Sequence, residues 1–137
     1  TEAIIYELGF FNDNGDITVH WSKDDKRYNG EQAGIDVSPA DTASVNHVLA
    51  ALQGTEVYYF PPPLAESSYL KLKPIIDEIG AMFRNNGIPA ICNASEEVYT
   101  DTTFYDTRYH LRGIGAEERT KHLISLLKQR GICCSTH

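Results

Sequence analysis

The segment from Phe104 to Ile124 reads FYDTRYHLRGIGAEERTKHLI, and it sets Asp106 four residues ahead of His110 in a short aromatic stretch. An imidazole with an ordinary pKa of about 6.5 takes and returns a proton near neutral pH. A carboxylate that accepts the N–H of its other ring nitrogen fixes the tautomer and stabilises the imidazolium. As chemistry, then, His110 is a general base and Asp106 its orienting partner. As structure alone, Asp106 caps a turn and His110 packs among Tyr105, Tyr109 and Leu111. Spacing by itself favours the second reading, because short motifs often match by chance.

Such a pair needs elements to hold it. The apolar, β-branched run Ala3-Ile4-Ile5-Tyr6-Glu7-Leu8 reads as a buried strand. Asn14-Gly15, between FFND and ITVHW, is a hairpin signal that would fold Ile17 to Trp21 back on that strand. The polar, Gly-punctuated residues 22 to 37 read as a surface loop. Ser38-Pro39 then opens a helix whose Val45, Val48, Leu49 and Leu52 keep one face until Gly54.

Val57-Tyr58-Tyr59-Phe60 reads as a strand halted by Pro61-Pro62-Pro63, whose rings remove ladder donors. A helix bearing Leu72, Ile75, Ile76, Ile79, Met82 and Phe83 follows and stops at Asn86-Gly87, with Pro74 in its first turn or at a kink. Ile88 to Cys92 is a short strand, and Asn93 to Tyr99 holds a brief capped turn. A last helix runs from Ala116 to Arg130, with Glu117 and Glu118 at its positive end, Lys128 and Arg130 at its negative end and Gly131 beyond. Strands alternating with helices predict a mainly parallel α/β sheet with right-handed crossovers. In such a sheet ligands bind beyond the carboxyl ends of the strands, which would gather FFND, PPPL and FYDTRYH at one edge.

Composition narrows the partners. The 137 residues with 42% hydrophobic content fit a single domain spanning residues 1–137. A net charge of −7 with scattered Lys and Arg argues against nucleic acid or an anionic membrane as main partner. No apolar run approaches the roughly 18 residues needed to cross a bilayer. The five histidines, His20, His47, His110, His122 and His137, make no paired metal-ligand spacing, so neither a metal nor a cofactor is expected. His122 reads as an ordinary position on the last helix. Cys92 reads as a buried thiol, and the adjacent Cys133 and Cys134 match neither a disulfide framework nor a zinc site. Gly113-x-Gly115 precedes a helix but follows no strand, so it is no phosphate loop.

The string FYDTRYHLRGIGAEERTKHLI is similar to the last block of the SGNH (GDSL-type) hydrolases, in which an Asp and a His lie close together on the loop before the C-terminal helix. The likeness is nearest to the cell-envelope SGNH-like proteins, with their Tyr-Asp, a following His-Leu, then a Gly and a long helix. The order of VYYFPPPL, helix, short strand and loop resembles the same family, over roughly residues 55 to 130. The resemblance implies a three-layer, flavodoxin-like α/β sandwich and makes Asp106 and His110 two members of a Ser–His–Asp triad. The family spacing is Asp-x-x-His, one residue shorter than here, which keeps Asp101 in view as the alternative carboxylate.

The family's nucleophile lies in a Gly-Asp-Ser string after its first strand, and this chain has none: Gly15-Asp16 is followed by Ile17. Ser38, Ser67 and Ser68 read as helix-capping residues. The family's oxyanion-hole block, Gly-x-Asn-Asp, has a counterpart in Gly9-Phe10-Phe11-Asn12-Asp13, one residue longer, from which Asn12 and Gly9 would face a developing oxyanion. On that alignment the first two strands of the domain and its Ser lie upstream of Thr1. The chain is then the C-terminal part of an esterase or O-acyltransferase for acyl esters of an envelope carbohydrate, with a sheet edge that needs a covering partner. The alternative is a non-catalytic α/β domain that keeps the fold and serves in binding or assembly.

Overall fold

The structure, a computed structural model, describes Tyr28 and residues 38–52 and 54–132. The expected strand at 3–8, the hairpin about Asn14-Gly15, the Gly9 and Asn12 pair, and Cys133 and Cys134 lie outside these residues. The described chain is a mixed α/β arrangement of three α-helices and a short parallel sheet: α1 (Pro39–Ala51), β1 (Leu64–Ala65), α2 (Glu66–Asn85), β2 (Val98–Tyr99) and α3 (Gly113–Gln129). Among the described residues no helix is long and apolar enough to cross a membrane.

Helix α1 starts at Pro39 as expected, because a proline in the first turn forfeits an N–H that has no helical partner anyway. The chain turns away from it through Gly54, at φ +82°. The predicted apolar stripe is only half covered: Val45 and Leu49 are partly buried, while Val48 and Leu52 are exposed.

The parallel ladder begins and resumes around the three prolines. Tyr59 bridges Ala90, its N–H donating to the Pro89 carbonyl at 2.9 Å and its carbonyl accepting from Ile91 at 2.8 Å. Beyond Pro63, β1 pairs β2 in the register Leu64 with Val98 and Ala65 with Tyr99. The expected strand at Val57–Phe60 is reduced to the single Tyr59 bridge, and pairing lapses at the three prolines, as read from the sequence, before it resumes at Leu64. Their rings withhold ladder donors over three residues, and the paired register is taken up again at Leu64. The expected third strand at Ile88 to Cys92 is likewise reduced to the Ala90 bridge, and regular pairing shifts to Val98–Tyr99.

Side chains of β1 alternate across the sheet, as the strand period requires. Leu64 packs with Leu72 and Ile76 of α2, whereas Ala65 packs on the other side with Tyr28, Phe104 and Leu111. Helix α2 begins at Glu66, earlier than its apolar spacing suggested, so Pro74 lies inside the helix rather than in its first turn. Pro74 is on the exposed face, where the missing N–H is tolerated. Asn86 caps the helix and Gly87, at φ +78°, ends it as read from the sequence.

Between the strands, Asn93 opens a 3-10 turn at Ala94–Glu97 through a capping box with Glu96, matching the expected capped turn. Helix α3 also starts earlier than predicted, at Gly113, which moves Glu117 and Glu118 out of its first turn. Its first turn packs closely on the loop before it: a Cβ on Gly115 would stand 3.0 Å from Leu111 Cδ2 and 3.2 Å from the Thr103 carbonyl oxygen. Glycine at this position lets the helix approach the loop without a side-chain clash.

Candidate active site

The loop between β2 and α3 is closed by its own backbone. After a second 3-10 turn at Asp101–Thr103, Phe104 forms an antiparallel bridge with Leu111. Tyr105 N–H donates to the His110 carbonyl at 2.8 Å, and Arg112 N–H to the Thr103 carbonyl at 2.8 Å. Phe104 is wholly buried and Leu111 nearly so, which anchors both stems in the core. The loop is tied to the end of β1 as well, since Ala65 N–H donates to the Arg108 carbonyl at 2.9 Å. The expected meeting of PPPL and FYDTRYH is therefore observed, at the carboxyl ends of the two paired strands. FFND falls outside the described residues.

Within this frame His110 Nδ1 lies 2.8 Å from Asp106 Oδ1. Both side chains are a little over one-third exposed, 39% for His110 and 37% for Asp106, so the pair is open to an incoming group. The Tyr105 ring meets the His110 ring nearly at right angles, 85°, with centroids 5.5 Å apart. With Nδ1 engaged by the carboxylate, Nε2 is the nitrogen suited to accept a proton. The extra residue in Asp-x-x-x-His is absorbed by a turn in which His110 N–H donates to the Thr107 carbonyl at 3.3 Å.

Asp101 is engaged elsewhere. Its Oδ1 accepts the backbone N–H of Ser67 at 3.1 Å, in the first turn of α2. That contact removes it as the partner of His110. It also corrects the reading of the serines: the N-cap of α2 is Ala65, and Asp101 supplies the side-chain acceptor that Ser67 and Ser68 were expected to provide. Ser68 is buried, with its hydroxyl 2.5 Å from the Tyr28 hydroxyl.

A second carboxylate–imidazole pair was not foreseen. Glu97 is completely buried, with Arg119 Nε 2.7 Å from one oxygen and His122 Nδ1 2.9 Å from the other. Arg119 donates further to the Pro61 carbonyl at 2.9 Å and lies 4.2 Å over the Phe60 ring. His122 is thus not an ordinary helix position: one turn from Arg119, it clamps α3 to the start of β2. Arg119 neutralises Glu97, and two donors occupy the carboxylate inside the packing, so this cluster is suited to fastening a helix. The one hint in the sequence was the three-residue spacing of Arg119 and His122, which puts them on one helical face.

Cys92 is buried, and burial together with the nearby Glu97 and Glu96 charges pushes its thiol up to about 11. Its thiolate is thereby less accessible at neutral pH than that of an ordinary cysteine. Among the described residues no three His, Cys, Asp or Glu side chains gather as metal ligands. A groove of about 310 Å³ runs beside the loop, bounded by Phe60, Pro63, Tyr109, Leu111 and α3. A larger cavity of about 450 Å³, between α2 and residues 89–94, includes neither Asp106 nor His110. The geometry of the loop therefore defines the candidate site better than cavity size does.

Comparison with protein-family models, with curated proteins and with solved structures found no match for this chain.

Proposed function

We propose that this chain is the Asp/His-bearing part of an SGNH-like esterase or O-acyltransferase, with its serine nucleophile supplied by sequence outside the 137 residues. The observation that carries the proposal is the 2.8 Å contact of Asp106 Oδ1 with His110 Nδ1, on a loop at the carboxyl ends of two parallel strands. In this reading Asp106 holds the proton on Nδ1 and Nε2 takes the serine proton as Oγ bonds to the acyl carbonyl carbon. His110 then returns that proton to the departing alcohol as the ester bond breaks. His110 next takes a proton from water or a sugar hydroxyl as that oxygen bonds to the acyl carbon. The acyl–Oγ bond breaks, and His110 returns the proton to the serine Oγ.

The finer parts of the proposal follow from the family likeness. They are a three-layer sandwich whose first strands precede Thr1, an oxyanion site at Asn12 and Gly9, an envelope location and carbohydrate, and a partner covering the sheet edge. A second reading, a non-catalytic α/β binding or assembly domain, is favoured by one observation: the sequence has no Gly-Asp-Ser string.

Hydrolysis of p-nitrophenyl acetate by the longest polypeptide that carries this chain, with and without His110→Ala, separates the two. Loss of on the order of a hundred-fold or more in turnover supports the base role. Equal rates exclude it.

A further inference from the structure

We infer that two guanidiniums of α3 latch the helix to the sheet at Pro61, taking over the ladder hydrogen bonds that are unmade there. The inference does not depend on the role of His110. In a parallel ladder a residue's N–H donates to one residue of the neighbouring strand, and its carbonyl accepts from the residue two further on. At Tyr59 both bonds are present, to the Pro89 carbonyl and from the Ile91 N–H. In the same register the next two bonds would run from residue 61 N–H to the Ile91 carbonyl and from Asn93 N–H to the Pro61 carbonyl. Pro61 has no N–H, so the first cannot form.

Each backbone group left over meets a side chain. The Ile91 carbonyl accepts from Arg130 Nη2 at 2.6 Å, and the same nitrogen lies 3.0 Å from the Ala90 carbonyl. The Pro61 carbonyl accepts from Arg119 Nη2 at 2.9 Å. Asn93 N–H donates to Glu96 Oε1 at 2.8 Å. Arg119 and Arg130 are about three helical turns apart, which brings both to one side of α3. Charged donors make stronger bonds than the amides they replace, and Pro61 and Ile91 are buried, so an unmet carbonyl there would be costly. With these substitutes the chain can leave the sheet after Ile91, form the turn that carries Glu97, and pair again at Val98. Helix and sheet therefore hold or open together at this point.

The test is amide hydrogen exchange, resolved to single residues, in the longest polypeptide that carries this chain. Arg130→Ala should speed exchange of the Tyr59 and Ile91 amides, the ladder donors beside the gap, by about ten-fold or more. Lys128→Ala removes another cation from the last turn of α3 and should leave both amides unchanged. Pro61→Ala provides an N–H for the Ile91 carbonyl, so adding Arg130→Ala to it should speed exchange by less than about three-fold.

Unchanged exchange at Tyr59 and Ile91 in Arg130→Ala overturns the inference. So does equal acceleration by Lys128→Ala, which would mark a general effect of charge at the helix end. The same acceleration by Arg130→Ala with and without Pro61 overturns it as well. Should Pro61→Ala not fold, the comparison of Arg130→Ala with Lys128→Ala decides alone.

Discussion

Asp101 and Asp106 lie five residues apart in one loop and have separate tasks: Asp101 holds the first turn of α2 through Ser67 N–H, and Asp106 holds His110. The division assigns the two carboxylates that the sequence could not tell apart. Replacing Asp106 by Asn should lower ester turnover of the carrying polypeptide by about 10²–10⁴-fold and leave the unfolding midpoint nearly unchanged. Asp101→Ala should do the reverse, costing about 0.5–2 kcal/mol of stability with turnover per folded molecule retained. Paired urea titrations and p-nitrophenyl acetate assays read both effects, and equal behaviour of the two variants would contradict the assignment.

Glu97→Gln should be among the most destabilising single changes. It leaves the Arg119 guanidinium beside a neutral amide in a buried setting, a class of change that costs about 3–5 kcal/mol. The lower end applies here, because Arg119 keeps about a quarter of its side-chain exposure. Removing both charges with Glu97→Leu and Arg119→Met should recover part of the loss. Denaturant midpoints measure each, and a single-variant loss below about 1 kcal/mol would show that the clamp contributes little.

Gly115→Ala runs against helix propensity. An alanine inside a helix usually gains about 1 kcal/mol over glycine. Here the new methyl would lie 3.2 Å from the Thr103 carbonyl oxygen, which is backbone and cannot swing away. Overpacking of this kind costs about 1–3 kcal/mol, so a net loss in thermal unfolding is expected. The same change should shift the amide resonances of Thr103 and Arg112, whose backbone bond borders the contact.

Alkaline pH should weaken the fold through Cys92. Its thiol is raised from an ordinary 9.0 to about 11, chiefly by burial, so the folded chain keeps a proton that the unfolded chain releases first. This contribution is complete below pH 9.0 and is lost as pH rises through about 11. Tyr99, raised from 10.0 to about 12 by burial and then by Glu97, extends the loss upward. Urea midpoints across that window, in the wild type and in Cys92→Ala, should show a shallower decline in the variant. A parallel decline would exclude Cys92 as the source.

The sequence by itself determined the elements whose signals are local. Pro39, Asn86-Gly87, Asn93 with Glu96, and the apolar face of α2 act within a few residues through φ restriction, capping and helical periodicity. Asp106 and His110 were legible for the same reason, being four residues apart in one loop. Tertiary structure decided the rest, because the forces are non-local. Whether the chain on either side of three prolines pairs depends on which segment lies alongside: Tyr59 meets Ala90 in a lone bridge, and Leu64–Ala65 finds Val98–Tyr99. Asp101 was withdrawn from His110 by a helix start 34 positions away in sequence, and His122 was recruited by a carboxylate 25 positions away. A buried charge must find its partners wherever the fold brings them, and no spacing along the chain records that need.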